Sequence, residues 1–320
     1  MSSEHSKIES LAFIQAEWVR RSQPSPCGFL TVYDVTNEQF LHLIEEGIRF
    51  KLDSQYGHGA LNGKSVALVF QKTSTRTRVS FELGIAEMGG APLFIDWRSS
   101  NFTLSALEDE IAVLSRYCHL IVARVYHHHD LLTMKQHASV PIVNGLCDLH
   151  HPCQALSDMV TIRHVFGSTN VNLLYIGDGN NVCHSLIQAA TVCGANIRVI
   201  TPPADAPQPS IVAQAGDSVQ VGHQLDAEWV RWADVIYTDT WVSMGQETEA
   251  EDRMIRFMPY QVSESVMAMA PSHAVFMHCL PAHRGAEVSS GVLDSPQSII
   301  LDQAENRKHA QKALLVHLLT

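Results

Sequence analysis

Ser65-Val-Ala-Leu-Val-Phe70 runs directly into Gln71-Lys-Thr-Ser74-Thr75-Arg76-Thr77-Arg78. Ser65–Phe70, with its unbroken apolar run from Val66, reads as a strand buried on both faces. The Ser/Thr cluster behind it reads as the opening of a helix, expected over Arg78–Met88. Strand, turn and helix in this order are the repeating unit of an α/β protein. The same alternation recurs along the chain. Further strands are expected at Ala91–Ile95, Leu120–Ala123, Pro141–Asn144, Asn172–Ile176, Asn196–Ile200, Val235–Tyr237 and Ala274–Met277. Helices are expected at Asn37–Lys51, Ala106–Tyr117, Gln154–Phe166, Ser185–Cys193, Asp226–Trp232 and Glu305–Leu318. The pattern predicts parallel sheets covered by helices.

With 320 residues, 46% of them hydrophobic, the chain can bury two ordinary cores, so two domains are expected. The division is expected at residue 150: residues 1–150 with a returning C-terminal helix at about 305–320, and residues 151–304. The formal net charge of −11 argues against a nucleic-acid surface but leaves room for a local positive pocket. Seven cysteines without a C-x-x-C pair point to free thiols in a reducing compartment. No apolar run reaches the length needed to span a bilayer. Ser6–Ser22 mixes Ile8, Leu11, Phe13 and Trp18 with Glu9, Glu17, Arg20 and Arg21, which reads as an amphipathic helix rather than a targeting segment. A cytoplasmic protein is expected.

Four short motifs carry chemistry. Ser74-Thr-Arg-Thr-Arg78 places hydroxyls and the planar fork of Arg76 at a helix N-terminus, where a phosphate is favoured; a capped helix with surface arginines is the lesser alternative. His151-Pro-Cys-Gln154 starts another helix, with Pro152 at its first position, so that His151 and Gln154 share a face. The His can polarise a carbonyl oxygen and the Gln amide can accept from an –NH2 group, although a capping His and a solvated Gln fit as well. Asp239-Thr-Trp-Val-Ser243-Met244-Gly245 follows a strand, where loops form ligand crevices; a plain polar loop remains the alternative. His278-Cys279-Leu280-Pro281 ends another strand, and a Cys placed there beside charged loops can have a lowered pKa, or can simply fill the core. Gly177-Asp-Gly-Asn-Asn181 has the look of a dinucleotide fingerprint, but position 182 is Val where a third glycine is required, which excludes NAD. His127-His128-His129 cannot all face one metal and reads as a solvated loop.

Taken in order, S-T-R-T-R, A-R-V (Ala123–Val125), H-P-C-Q, G-D-G-N-N, D-x-x-x-S-M-G, H-C-L-P and E-N-R (Glu305–Arg307) resemble the aspartate/ornithine carbamoyltransferase family over most of the chain. The resemblance implies two parallel-sheet domains joined by two crossing helices, and a homotrimer with active sites at subunit boundaries. By position it implies Ser74, Thr75, Arg76 and Thr77 for the phosphate of carbamoyl phosphate, and Arg124, His151 and Gln154 for the carbamoyl group. It implies Asn181, Asp239, Ser243 and Met244 for the acceptor, with Cys279, Leu280 and Arg307 closing the site. Arg76, Arg124, His151 and Cys279 would be the catalytic group. D-x-x-x-S-M-G and H-C-L-P point to the branch that carbamoylates ornithine to citrulline in arginine metabolism. That chemistry needs neither a metal nor an organic cofactor, and no membrane or nucleic-acid partner. One stretch departs from the family: Arg98–Leu107 reads R-S-S-N-F-T-L-S-A-L, where a glycine and polar or basic residues are usual. A transferase for another amine and a family member without turnover are the two rival readings.

Overall fold

The computed structural model describes residues 28–242 and 247–320. The amphipathic stretch Ser6–Ser22, and Ser243 and Met244 of the acceptor loop, lie outside the described residues. The first sheet contains β1 (Gly28–Phe29), β2 (Ser65–Phe70), β3 (Ala91–Asp96), β4 (Leu120–Arg124) and β5 (Ile142–Leu146). They lie in the order β1-β5-β4-β2-β3, every neighbouring pair parallel. Parallel neighbours need crossover connections, here α1 (Asn37–Leu52), α2 (Thr75–Glu87), α3 (Leu107–Leu114) and α4 (His128–His137). Helix α5 (Pro152–Phe166) leads to a second parallel sheet of β6 (Asn172–Ile176), β7 (Asn196–Ile200), β8 (Val219–Gly222), β9 (Val235–Thr238) and β10 (Val275–His278). Its order is β10-β9-β6-β7-β8. It is flanked by α6 (Asn181–Cys193), α7 (Pro209–Ala215), α8 (Ala227–Trp232), α9 (Ala250–Phe257), α10 (Glu264–Met269) and α11 (Ser290–Leu293). The chain ends in α12 (Ile300–Leu319), which packs on α1, α2 and α5.

One apolar core joins both sheets through α5 and α12: Leu68 and Leu173 share it with Met159 and Leu314. Gly47 of α1 makes this crossing possible. A Cβ there would lie 2.8 Å from Val160 Cγ2 and 3.6 Å from the Ala310 Cα, so the three helices approach closely only because the side chain is missing. Among the described residues no helix is long and apolar enough to cross a membrane.

Several local expectations change. Helix α2 begins at Thr75 rather than Arg78, because Ser74 is its N-cap and accepts from the Thr77 N–H at 3.2 Å. The expected loop at His127–His129 is the start of α4: His127 is the N-cap, and His128 is half-buried with its ring edge-on to His150. The strands β1 and β8 had no counterpart in the sequence reading.

Candidate active site

In an open parallel sheet, ligands bind beyond the carboxyl ends of the strands, where the connections change direction. In the first sheet that point lies between β2 and β4, and in the second between β6 and β9. The chemistry-bearing residues sit there. Ser74–Thr77 follow β2, and Arg124 is the last residue of β4. Gly177–Asn181 follow β6, Asp239 follows β9 and Cys279 follows β10. His151 caps α5, and Arg307 comes from α12.

On the side of the first sheet, three guanidinium groups converge. Arg124 and Arg307 are 5% and 3% exposed, and Arg76 is half-buried. Arg307 donates from Nη2 to Thr77 Oγ1 at 2.7 Å, which ties the last helix to the S-T-R-T-R turn. The Nε atoms of Arg76, Arg124 and Arg307 are buried without a partner. Burial, then Arg307 and Arg76, push Arg124 down to about 9. Burial, followed by Arg307, Arg124 and Arg76, holds the His151 imidazole well below its ordinary range, so it is neutral. Its backbone N–H donates to Ser185 Oγ at 2.8 Å and its Nδ1 has no partner. Gln154 is buried in the first turn of α5. Thr75 is exposed at the first residue of α2.

On the side of the second sheet lies a buried carboxylate. Asp239 is 5% exposed; it accepts from Asn180 Nδ2 at 2.8 Å and from the Cys279 thiol at 2.9 Å. The expectation of a lowered Cys279 pKa is therefore corrected. Burial first, and the neighbouring Asp239 charge second, push this thiol well above its ordinary value, so it is a neutral donor. Leu280 adopts a left-handed φ of 58°. Its N–H donates to His278 Nδ1 at 2.8 Å, and His278 Nε2 reaches Glu287 at 3.1 Å within the core. Asp239, His278 and Cys279 bring one oxygen, nitrogen and sulfur within 4.8 Å of one another. Both His278 nitrogens are already engaged, which makes the set a poor metal cage.

Asn181 donates to the Cys147 carbonyl and so fastens the second sheet's loop to the connection that follows β5. Its neighbour Asn180, which sequence reasoning passed over, is the residue that holds Asp239. Arg253 of α9 was also missed. It is 4% exposed and gathers three loops, donating to the Trp241 carbonyl at 2.6 Å, to Asp178 at 2.5 Å and to Asp205 at 3.0 Å. Nothing local in the sequence distinguishes such a residue from a surface arginine.

Comparison with known proteins gives one answer. Residues 28–164 match the family model described as aspartate/ornithine carbamoyltransferase, carbamoyl-P binding domain, and residues 169–318 match the Asp/Orn binding domain. An ornithine carbamoyltransferase from Pyrococcus horikoshii is 46% identical over 301 residues, covering 91% of this chain and 95% of its own length. An anabolic ornithine carbamoyltransferase from Pyrococcus furiosus is 45% identical over 297 residues, covering 89% of this chain and 94% of its own. The solved ornithine carbamoyltransferase structure from Pyrococcus furiosus superposes with a TM-score of 0.87 at 44% identity, covering 92% of this chain and 97% of that one. With both domain models matched in order and the relatives aligned along most of their length, this chain belongs to the aspartate/ornithine carbamoyltransferase family.

Proposed function

We propose that the protein transfers the carbamoyl group of carbamoyl phosphate to the side-chain amine of ornithine, giving citrulline and phosphate. The observation that carries this reading is the contrast between the two subsites. One holds buried guanidinium groups with unused donors and suits a phosphate dianion. The other is a buried carboxylate, Asp239, which attracts an ammonium group and repels the side-chain carboxylate of aspartate.

In this reading Ser74, Thr75, Arg76 and Thr77, with the N-terminus of α2, hold the phosphate. Arg124, His151 and Gln154 take the carbamoyl group. Asn181, Asp239, Ser243 and Met244 hold ornithine, and Cys279, Leu280 and Arg307 close over both. The neutral amine attacks the carbonyl carbon and a C–N bond forms. The C–O bond to phosphate then breaks, and the amine loses one proton overall. Arg124 and the neutral His151 stabilise charge on the carbonyl oxygen as fixed donors in a dry site. Arg76, Arg307 and the helix N-terminus stabilise the departing phosphate. Residues up to 150, with the helix at 305–320, form the carbamoyl phosphate unit, and residues 151–304 the ornithine unit. The protein acts as a homotrimer in which the loop around Asn101 completes a neighbour's phosphate site.

The test is a citrulline-formation assay run over a panel of amine acceptors with aspartate included. Ornithine is expected to be the best acceptor. Faster turnover with aspartate or with another amine, or no turnover while carbamoyl phosphate still binds, would overturn the proposal.

A further inference from the structure

A glutamine amide has an accepting oxygen and a donating nitrogen, and the end of Gln154 that faces the site decides what it can recognise. That choice is made outside the site. The peptide N–H of His278 can only donate, and it donates to Gln303 Oε1 at 2.8 Å. Gln303 therefore turns its Nε2 away, to Asp158 Oδ1 at 2.7 Å and the Tyr237 hydroxyl at 3.1 Å. Asp158 Oδ1 is thus an acceptor in either protonation state of the carboxyl group. The same oxygen lies 2.8 Å from the Gln154 amide, which must present its nitrogen. A flipped amide would set two oxygens against each other. Gln154 Oε1 is left buried with no partner, in the turn capped by His151. Asp158 and Gln303 are both fully buried, so water does not offer them an alternative.

We infer that Asp158, itself oriented by Gln303, is a positioning residue that locks Gln154 with its oxygen toward the transferred group. The site thereby selects a group carrying N–H donors over an isosteric acyl group carrying a methyl. This rests on the proposed carbamoyl transfer. A carbamoyl –NH2 satisfies the buried oxygen, whereas the methyl of acetyl phosphate leaves it unpaired, and a site built around a hydrogen bond discriminates in this way.

The test is calorimetric binding of carbamoyl phosphate and of acetyl phosphate to the full-length protein and three variants. The wild type is expected to prefer carbamoyl phosphate by about tenfold or more. Asp158→Ser should weaken carbamoyl phosphate by about tenfold and leave acetyl phosphate unchanged, so the preference collapses. Asp158→Asn should keep the preference, because its amide oxygen still accepts from both glutamines and the Tyr237 hydroxyl can accept from its nitrogen. A purely structural role would weaken both ligands equally. Gln154→Met should collapse the preference too, and it carries the test if Asp158→Ser does not fold. A retained preference in either Asp158→Ser or Gln154→Met, or an equal loss for both ligands, overturns the inference. Citrulline formation by the wild type is scored separately: its absence would sink the proposed function, while the binding ratio still decides the role of Asp158.

Discussion

Buried like charges oppose folding unless something neutralises them, and Arg76, Arg124 and Arg307 share one site with neutral His151. Such a cluster is built for an anion rather than for stability. Arg76→Ala should therefore leave the thermal stability of the ligand-free protein unchanged or slightly raised. It should weaken carbamoyl phosphate by roughly 2–5 kcal/mol, at least ~30-fold, as truncation of a buried charge pair does. Calorimetry showing unchanged affinity would remove Arg76 from the site. Cys279 gives a second residue-level expectation. Its thiol is pushed up by burial and by Asp239, so at pH 8 it is protonated and iodoacetamide should label it more slowly than an ordinary exposed thiol. Asp239→Asn removes the anion that raises the pKa and should speed the labelling. Peptide mass spectrometry follows both rates, and faster labelling of the wild-type residue would contradict this account. These positions were singled out because each lies in a short motif: at a strand end for Arg124 and Cys279, at a helix start for Arg76 and His151, and within the last helix for Arg307. Asn180, Gln303 and Arg253 were not, because their partners are far away in sequence; Asp158 was not, because its four-residue step from Gln154 is ordinary helix spacing and its other partners, Tyr237 and Gln303, are distant.

At the level of elements, the long apolar strands and amphipathic helices were readable, and both sheets are parallel as the alternation required. Strands β2, β6 and β7 span the residues expected from their apolar runs. The misses have physical reasons. β1 has two residues, too few for any period, and it exists because Gly28 and Phe29 pair with Ile142 and Val143. β8 alternates Val219 and Val221 with Gln220 at a sheet edge, a signal of one half-buried face that four residues barely carry. Loop packing was equally hidden. Gly179, read as part of a failed dinucleotide fingerprint and of the family motif G-D-G-N-N, donates its N–H to the Asp205 carbonyl at 2.8 Å. A Cβ on it would lie 2.3 Å from the Pro207 nitrogen and 2.5 Å from the Ala206 carbonyl carbon. Those are backbone atoms that cannot turn aside. Gly179→Ala should push the β6–α6 loop off the 205–207 segment and carry Asn180 away from Asp239. The expected cost is roughly 1–3 kcal/mol of stability, as for other overpacked sites. Ornithine kcat/KM should fall while carbamoyl phosphate affinity is kept. An alanine variant with wild-type kinetics would show that the loop contact does not hold the acceptor subsite.

Across the whole molecule, the candidate site draws on both sheets, on the helix α5 between them and on the last helix α12. The 97–104 loop stands apart from it. Its departure from the family's residues has a partial explanation: Phe102 is 8% exposed and packs on Trp97 with ring centroids 4.7 Å apart, anchoring the loop to its own subunit. Leu104, by contrast, is 83% exposed, and Asn101 is exposed beside it. The loop is thus fixed at one point and presents the rest of its surface outward. In the proposed homotrimer that outward surface meets a neighbour's phosphate site, and this can be tested by complementation. Arg76→Ala damages the phosphate site of its own subunit and leaves the loop intact, whereas Asn101→Ala should do the reverse. Each variant alone should be weakly active. When the two are unfolded together and refolded as mixed trimers, some interfaces combine an intact Arg76 with an intact loop, so citrulline formation should rise above that of either pure sample. Light scattering on the same samples should give a trimer or a multiple of it. If the mixture is no more active than its components, the loop serves its own subunit. An active monomer would show that no neighbour is needed at all.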